Sequence, residues 1–117
     1  MKQFTKTHEW VSNQGKTVKV GLSDFAQKEM GDIVYVSLPA VGDTVTIGKS
    51  FSDVESVKAV SEVFSPVTGK VVAINEELLD KPELINETPY DAWMIEVEAA
   101  ETEELMTEDQ YLEFIKK

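Results

Sequence analysis

The chain has 117 residues, a formal net charge of −11 and no cysteine, and all 11 of its basic residues are lysines. It therefore has no thiol nucleophile, thiolate metal site or disulfide, and no guanidinium group that could bind phosphate through paired hydrogen bonds. Because the negative charge also repels polyanions and anionic membranes, we expect neither a nucleic acid nor a membrane as a partner.

The predicted elements are mostly short strands. In chain order they cover residues 9–12, 17–22, 33–38, 45–47, 50–56, 59–64, 70–74 and 93–97. Alternating apolar and polar residues bounded by glycine and proline are typical of half-buried strands. So many short strands in a chain of one-domain length predict a compact barrel or sandwich. The residues predicted to face the core include Val34, Val36 and Leu38 in one strand and Trp93, Ile95 and Val97 in another.

Two helices are predicted from their capping residues. Ser23 is a suitable N-cap for a short helix through Met30, and Gly31 is suited to a left-handed stop. Thr107 and Gln110 match a capping box before an apolar stripe at helical spacing, which predicts a C-terminal helix at about 107–116. The polar segment 75–86, interrupted by a proline, predicts a loop with a turn or two of helix.

Acidic residues are concentrated in the second half of the chain. From residue 76 to residue 113 there are fourteen carboxylates against one lysine, Lys81. A solvated face that keeps the protein soluble is the plainer interpretation, and a docking surface for basic partners is the alternative. No apolar run is long enough to span a bilayer and the N-terminus lacks a signal or transit pattern, so we expect a cytoplasmic protein.

Lys58 lies at the predicted tip of the hairpin formed by strands 50–56 and 59–64. A lysine in a two-residue turn is accessible to a modifying enzyme, although most hairpin lysines are ordinary surface residues. The surrounding segments Gly42-Asp43-Thr44-Val45, Glu55-Ser56-Val57-Lys58-Ala59 and Pro66-Val67-Thr68-Gly69-Lys70-Val71 resemble the signature of lipoyl and biotinyl carrier domains. Biotin carriers usually place methionines beside the lysine, whereas Val57 and Ala59 stand here, which favours lipoyl.

Segments along nearly the whole chain are similar, in order and spacing, to the glycine cleavage H-protein family. They are Thr7-His8-Glu9-Trp10, Gly21-Leu22-Ser23-Asp24-Phe25-Ala26-Gln27, Gly31 to Pro39, Glu55 to Ala59, and Asn86-Glu87-Thr88-Pro89-Tyr90. The resemblance implies a hybrid barrel-sandwich of the lipoyl type, with one domain over 1–117 and a lipoyl-like core at about 31–98. One departure is visible, because only Asp91 and Ala92 separate Tyr90 from Trp93, one residue fewer than is usual in the family.

The resemblance implies a carrier and not an enzyme. Lipoate attached to Lys58 would act as a swinging arm that takes an aminomethyl group from glycine decarboxylase (P protein) to aminomethyltransferase (T protein). Dihydrolipoyl dehydrogenase (L protein) would then reoxidise the arm, and a lipoate-attaching enzyme would be a further partner of a monomeric carrier. A lipoyl relay that donates lipoyl groups to other enzymes, or serves a different modification system, is the alternative.

The resemblance also implies roles for residues outside the tip. Glu55 and Gly69 would be recognised during lipoylation, although Gly69 could equally serve only the backbone freedom of a turn. Four residues would line a cleft that receives the arm: Thr7, His8, Glu9 and Glu62. The plainer interpretations are a packed histidine and solvated strand carboxylates, and we expect no metal site around a single histidine.

A hydrolase is the rival from a different functional class. Asp53 and Glu55 could form an acid/base pair, but the sequence has no obvious nucleophile with a neighbouring base to accompany them.

Overall fold

The computed structural model describes residues 2–116. Its elements in chain order are β1 (Lys2–Phe4), β2 (Glu9–Asn13), β3 (Val18–Leu22), α1 (Asp24–Met30), β4 (Ile33–Val36), β5 (Thr44–Val45), β6 (Ser50–Ser56), β7 (Val60–Phe64), β8 (Val67–Ile74), α2 (Glu77–Asp80), α3 (Leu84–Glu87), β9 (Ile95–Thr102) and α4 (Glu108–Ile115). The mostly-β fold with short helices and a C-terminal helix is confirmed.

Two antiparallel sheets carry the fold. The larger has six strands in the order β1-β2-β3-β9-β8-β5, and the smaller has three in the order β4-β6-β7. The β6–β7 hairpin of the smaller sheet has Lys58 in its turn, as the sequence predicts. None of the helices within residues 2–116 has the length and apolar character needed to cross a membrane.

The core consists of three apolar clusters. One joins the smaller sheet to the helices and includes Leu22, Ile33, Val36, Val54, Val63, Leu78, Ile85 and Met94. A second lies within the larger sheet and is made of Val20, Val45, Val67, Val71, Ile95 and Val97. The third is aromatic, because Phe4 and Trp10 of the N-terminal strands pack with Tyr111 of α4. The C-terminal helix is thereby attached to the start of the chain.

Both predicted helix caps form. The Ser23 hydroxyl oxygen accepts a hydrogen bond of 3.2 Å from the backbone N–H of Ala26. Thr107 and Gln110 make the reciprocal bonds of a capping box at the start of α4. Gly31 ends α1 with a φ of 81°, but its ψ of −158° lies outside the left-handed helical region that the sequence predicts.

The prediction that Val34 of β4 faces the core is wrong. Ile33 and Val36 are buried, whereas Val34 is 53% exposed. The cause is a shift of register against β6 between Ile33 and Tyr35, which breaks the two-residue alternation on which the prediction rests.

The last strand also differs from its prediction. It begins at Ile95 and runs to Thr102, paired with β8 over its length. Trp93 precedes the strand and is only half-buried, with the Lys19 Nζ atom 4.8 Å from its ring centroid. Met94 is fully buried in its place, because its N–H donates to the Val20 carbonyl and turns the chain inward.

The shortened segment between Tyr90 and Trp93 closes as a turn. The N–H groups of Asp91 and Ala92 both donate to the Thr88 carbonyl, and Ala92 is buried. The Tyr90 hydroxyl oxygen accepts from the N–H of Asp24 at the start of α1. The segment therefore connects α3 to the last strand while still contacting α1.

Candidate functional site

The turn that carries Lys58 is held by hydrogen bonds on both sides. The Ser56 N–H donates to the Ala59 carbonyl at 2.8 Å, and the Ser56 hydroxyl oxygen accepts from the N–H groups of Lys58 and Ala59. The Val57 N–H donates to the Asp32 carbonyl, which ties the tip to the junction of α1 and β4. The backbone at Lys58 is thus fixed, while its side chain is exposed.

The Lys58 side chain lies along the backbone at Gly31. A Cβ atom placed on Gly31 would be 3.3 Å from Lys58 Cε and 3.8 Å from Nζ. The lysine stem therefore follows the body of the protein instead of standing clear of it, and Gly31 provides the space. The ion pairs within residues 2–116 are Lys28–Asp24 and Lys116–Glu113, so no carboxylate of this range holds the Lys58 amine.

A cleft of about 250 Å³ lies beside this hairpin. It is bounded by the loop before β2, by α1 and by β7, and its lining residues are Thr7, His8, Leu22, Phe25, Ala26, Glu29, Met30, Ser61, Glu62 and Val63. Met30 directly precedes Gly31, where the lysine stem lies. Glu62 lies on β7, which follows directly after the turn that carries Lys58. The cleft therefore begins close to the lysine.

The cleft combines apolar walls with negative charge. Glu29 and Glu62 are exposed carboxylates on opposite walls, one on α1 and one on β7. The described lining includes no lysine that would neutralise them. Such a cleft favours an elongated apolar group that carries a cation.

Glu9 lies behind this cleft, not on its lining. It is 1% exposed, and its Oε1 atom accepts hydrogen bonds from the hydroxyls of Thr5 at 2.6 Å and Thr7 at 2.5 Å. The Phe64 N–H approaches Oε2 at 3.4 Å. Burial raises the pKa of Glu9 to about 7, although these hydrogen bonds oppose the rise. Thr7 is the residue that connects Glu9 to the cleft.

His8 is the only histidine of the chain, and it lines the cleft. Its Nδ1 atom is 2.8 Å from the Tyr111 hydroxyl, and its ring packs 4.8 Å from that of Phe25. Burial lowers the pKa of His8, and the charge of Glu29 partly opposes this. The described residues contain no group of three or more possible metal ligands.

The predicted residues thus fall into three groups. Thr7, His8 and Glu62 are brought together in the cleft, and Glu9 supports it from behind Thr7. Glu55 is exposed on β6, three residues before Lys58 and in register with Tyr35 and Val60. Gly69 lies on β8 of the other sheet.

Several residues that contribute to the cleft were not predicted from the sequence. Phe25 and Glu29 are four residues apart on α1, and so are Ala26 and Met30, so that face could have been found from periodicity. Tyr111 had no such signal, because it is 103 residues from His8. The residues proposed for a hydrolase, Asp53 and Glu55, are both exposed, and the sole histidine is already bound to Tyr111.

Gly69 is required for space and not for an unusual φ. The glycines with positive φ among the described residues are Gly15, Gly31, Gly42 and Gly48. A Cβ atom on Gly69 would collide with the Glu98 carbonyl oxygen and lie 2.9 Å from Ala99 Cα on the paired strand. The β8–β9 pair therefore approaches too closely at this position for any side chain.

We predict that Gly69→Ala destabilises the protein by about 1–3 kcal/mol, because the added methyl group pushes β9 away from β8. The measurement is the free energy of unfolding from urea denaturation, with Lys70→Ala at the exposed neighbouring position as the control. Equal stability of Gly69→Ala and the parent would contradict the crowding. Lipoylation of the variant should be compared only under conditions in which it is folded.

We also predict a pH-dependent effect of Glu9→Gln. The folded chain keeps the Glu9 proton up to about pH 7, while the unfolded chain loses it near the ordinary pKa of 4.5. The free energy of unfolding of the parent therefore falls as the pH rises between these two values. Glu9→Gln removes this pH dependence. As the pH rises across the range, the free energy of unfolding of the variant should therefore increase relative to that of the parent by up to about 3 kcal/mol.

Urea denaturation at about pH 4 and about pH 8 measures this difference. Glu62→Gln, which removes an exposed carboxylate, controls for the loss of one charge. A difference between Glu9→Gln and the parent that stays constant with pH would show that burial does not raise the Glu9 pKa.

Comparisons with known proteins agree on one family. The chain matches the family described as Glycine cleavage H-protein over residues 2–117. It is 54% identical over 119 residues to the glycine cleavage system H protein of Halalkalibacterium halodurans, with 98% of this chain and 93% of the relative covered. It is also 54% identical over 116 residues to the H protein of Lachnoclostridium phytofermentans, covering 97% and 91% of the two chains.

A solved structure extends the agreement to the fold. The crystal structure of a glycine cleavage system H protein from Mycobacterium marinum superposes with a TM-score of 0.93 at 34% identity, covering 99% of this chain and 97% of that one. This match confirms the barrel-sandwich fold. The chain belongs to the glycine cleavage H-protein family.

Proposed function

We propose that this protein is the lipoyl carrier of the glycine cleavage system and that lipoate is attached to Lys58 through an amide bond. The observation that carries the proposal is the geometry of the tip. The Lys58 N–H donates to the Ser56 hydroxyl oxygen, and the neighbouring Val57 N–H donates to the Asp32 carbonyl, so the backbone is fixed. The Lys58 side chain is exposed, and its amine has no carboxylate partner in the described chain.

The residues around Lys58 fit such a group. The lysine stem already follows the backbone at Gly31, and the cleft begins at the adjacent Met30. Phe25, Met30 and Val63 provide apolar walls for a hydrocarbon chain. When attached, lipoate would supply a dithiolane that exchanges between disulfide and dithiol, chemistry that a chain without cysteine lacks.

The protein's own contribution is position and shelter. The turn presents the Lys58 amine at the edge of the cleft, and the apolar walls exclude water from part of it. Glu29 and Glu62 stabilise positive charge in the cleft, and Thr7 offers a hydroxyl whose orientation is set by its bond to Glu9. These groups would bind and shield a cationic cargo.

Four partners follow from this function. The loaded carrier would visit glycine decarboxylase, aminomethyltransferase and dihydrolipoyl dehydrogenase in turn, and a lipoate-attaching enzyme would acylate Lys58. Glu55 stands on the same face as Tyr35 and Val60 beside the tip, so we propose it as a contact for the attaching enzyme. Gly69 would act indirectly, by keeping β8 and β9 close together.

We predict that protein isolated from its native host carries one lipoyl group, on Lys58, and that Lys58→Arg carries none. The change should leave stability nearly unaltered, because the side chain is exposed. The measurement is intact mass followed by peptide mapping. Lys49→Arg, at another exposed lysine, is the matched control and should remain fully lipoylated.

Lipoate found on another lysine, or on none, would contradict the proposal. Capture of glycine decarboxylase by the lipoylated protein separates the glycine cleavage role from a lipoyl relay. A relay would instead transfer the lipoyl group from Lys58 to other acceptor proteins.

A further prediction concerns the acidic segment 76–113. The two ion pairs found within residues 2–116 engage only one of its fourteen carboxylates, Glu113. If the unpaired charge steers the carrier to basic partners, association rates should fall steeply as salt shortens the Debye length from about 10 Å at 0.1 M to about 3 Å at 1 M. Stopped-flow measurement against aminomethyltransferase tests this. Salt-independent rates would leave the segment a role in solubility alone.

A further inference from the structure

Two hydrogen bonds link the side chains of His8, Tyr111 and Ser23, and they connect the cleft to the C-terminal helix. His8 Nδ1 is 2.8 Å from the Tyr111 hydroxyl oxygen, which is itself 2.7 Å from the Ser23 hydroxyl oxygen. His8 has a φ of 75°, a region that residues other than glycine rarely adopt. Its backbone is held there because its N–H donates to the Thr5 carbonyl and its own carbonyl accepts from the Ser23 N–H. The His8 residue is therefore held both at its backbone and at the Nδ1 atom of its ring.

The hydroxyl hydrogens of Ser23 and Tyr111 favour one direction for each of these two hydrogen bonds. Ser23 is fully buried, and its oxygen already accepts from the Ala26 N–H as the N-cap of α1. Within residues 2–116, the Tyr111 oxygen is the acceptor that the Ser23 hydroxyl hydrogen can reach. If Ser23 donates to Tyr111, the single Tyr111 hydrogen is free to donate to His8 Nδ1. The His8 proton then resides on Nε2.

The opposite arrangement has a cost. A proton on Nδ1 would donate to Tyr111 and turn the Tyr111 hydrogen toward Ser23. The buried Ser23 hydrogen would then have no acceptor within the described chain, and an unpaired buried hydroxyl is unfavourable. A doubly protonated His8 would face the same cost. The network therefore favours neutral His8 with Nδ1 as an acceptor.

We infer that Tyr111 is a positioning residue that holds His8 neutral with its Nε2–H directed into the cleft. The ring lines the cleft, and Nε2 has no hydrogen-bond partner in the part of the chain that the structure describes. The Tyr111 ring is itself immobilised, 2% exposed and stacked 4.5 Å from Phe4 with an interplanar angle of 5°. The C-terminal helix thus acts on the cleft through its contact with His8.

The consequence concerns which cargo the cleft accepts, and it rests on the proposed function. His8 is faced by Glu29 from α1, by Glu62 across the cleft and by Tyr111 from α4. Protonated His8 would pair with these carboxylates and cancel part of the negative charge that a cationic cargo needs. Neutral His8 leaves that charge available and adds an uncharged donor for an acceptor atom of the cargo.

The test is the nitrogen-15 NMR spectrum of the sole histidine in the unmodified protein, correlating ring nitrogens with ring hydrogens. We expect the parent to show the Nε2–H form alone. Tyr111→Phe keeps the ring that stacks on Phe4 but removes the hydroxyl, so a second tautomer should appear and the His8 pKa should rise toward its ordinary value of about 6.5.

Tyr90→Phe is the matched control, because it removes a hydroxyl of the same aromatic region that bonds the N–H of Asp24 and not His8. It should leave both the tautomer and the pKa of His8 unchanged. A parent spectrum with Nδ1–H, or a Tyr111→Phe spectrum and titration identical to the parent, would overturn the inference. Because the spectrum needs no lipoate, its outcome is independent of whether Lys58 is the attachment site.

Discussion

The hydrogen bond from the Val57 N–H to the Asp32 carbonyl is the contact on which the site depends. A hairpin tip that protrudes from a sheet is free to bend, but this bond ties the tip to the junction between α1 and β4. The same junction is held from the other side by Asn86, whose amide donates to the Gly31 carbonyl and whose oxygen accepts from the Ile33 N–H. The lysine and the mouth of the cleft are therefore parts of one rigid arrangement.

Burial gives the carboxylates around the cleft different properties. Glu29 and Glu62 are exposed and contribute charge, whereas Glu9 is enclosed by Thr5 and Thr7. A buried carboxylate without a cation takes up a proton more readily, so the pKa of Glu9 rises to about 7. Glu9 consequently acts as a support that orients the Thr7 hydroxyl, while the exposed pair sets the electrostatics of the cleft.

The C-terminal helix packs against the N-terminal strands. Tyr111 packs among aromatic residues of β1 and β2, and its hydroxyl joins the cap of α1 to the His8 ring. One residue of α4 thus contacts two walls of the cleft. Stability of the helix and geometry of the cleft are coupled through that side chain.

Local patterns in the sequence determined a large part of this protein: the mostly-β class, the Ser23 and Thr107 caps, the hairpin with Lys58 at its tip, and the family. Strand alternation, capping and turn chemistry act over a few residues, so they can be read without knowing the fold. Tertiary structure alone decided that a register shift exposes Val34, that the closeness of β9 excludes a side chain at Gly69, and that Glu9 is buried. It also paired His8 with Tyr111, 103 residues away. These features arise where segments distant in sequence come into contact, and neither residue of such a pair carries a local signal of the other.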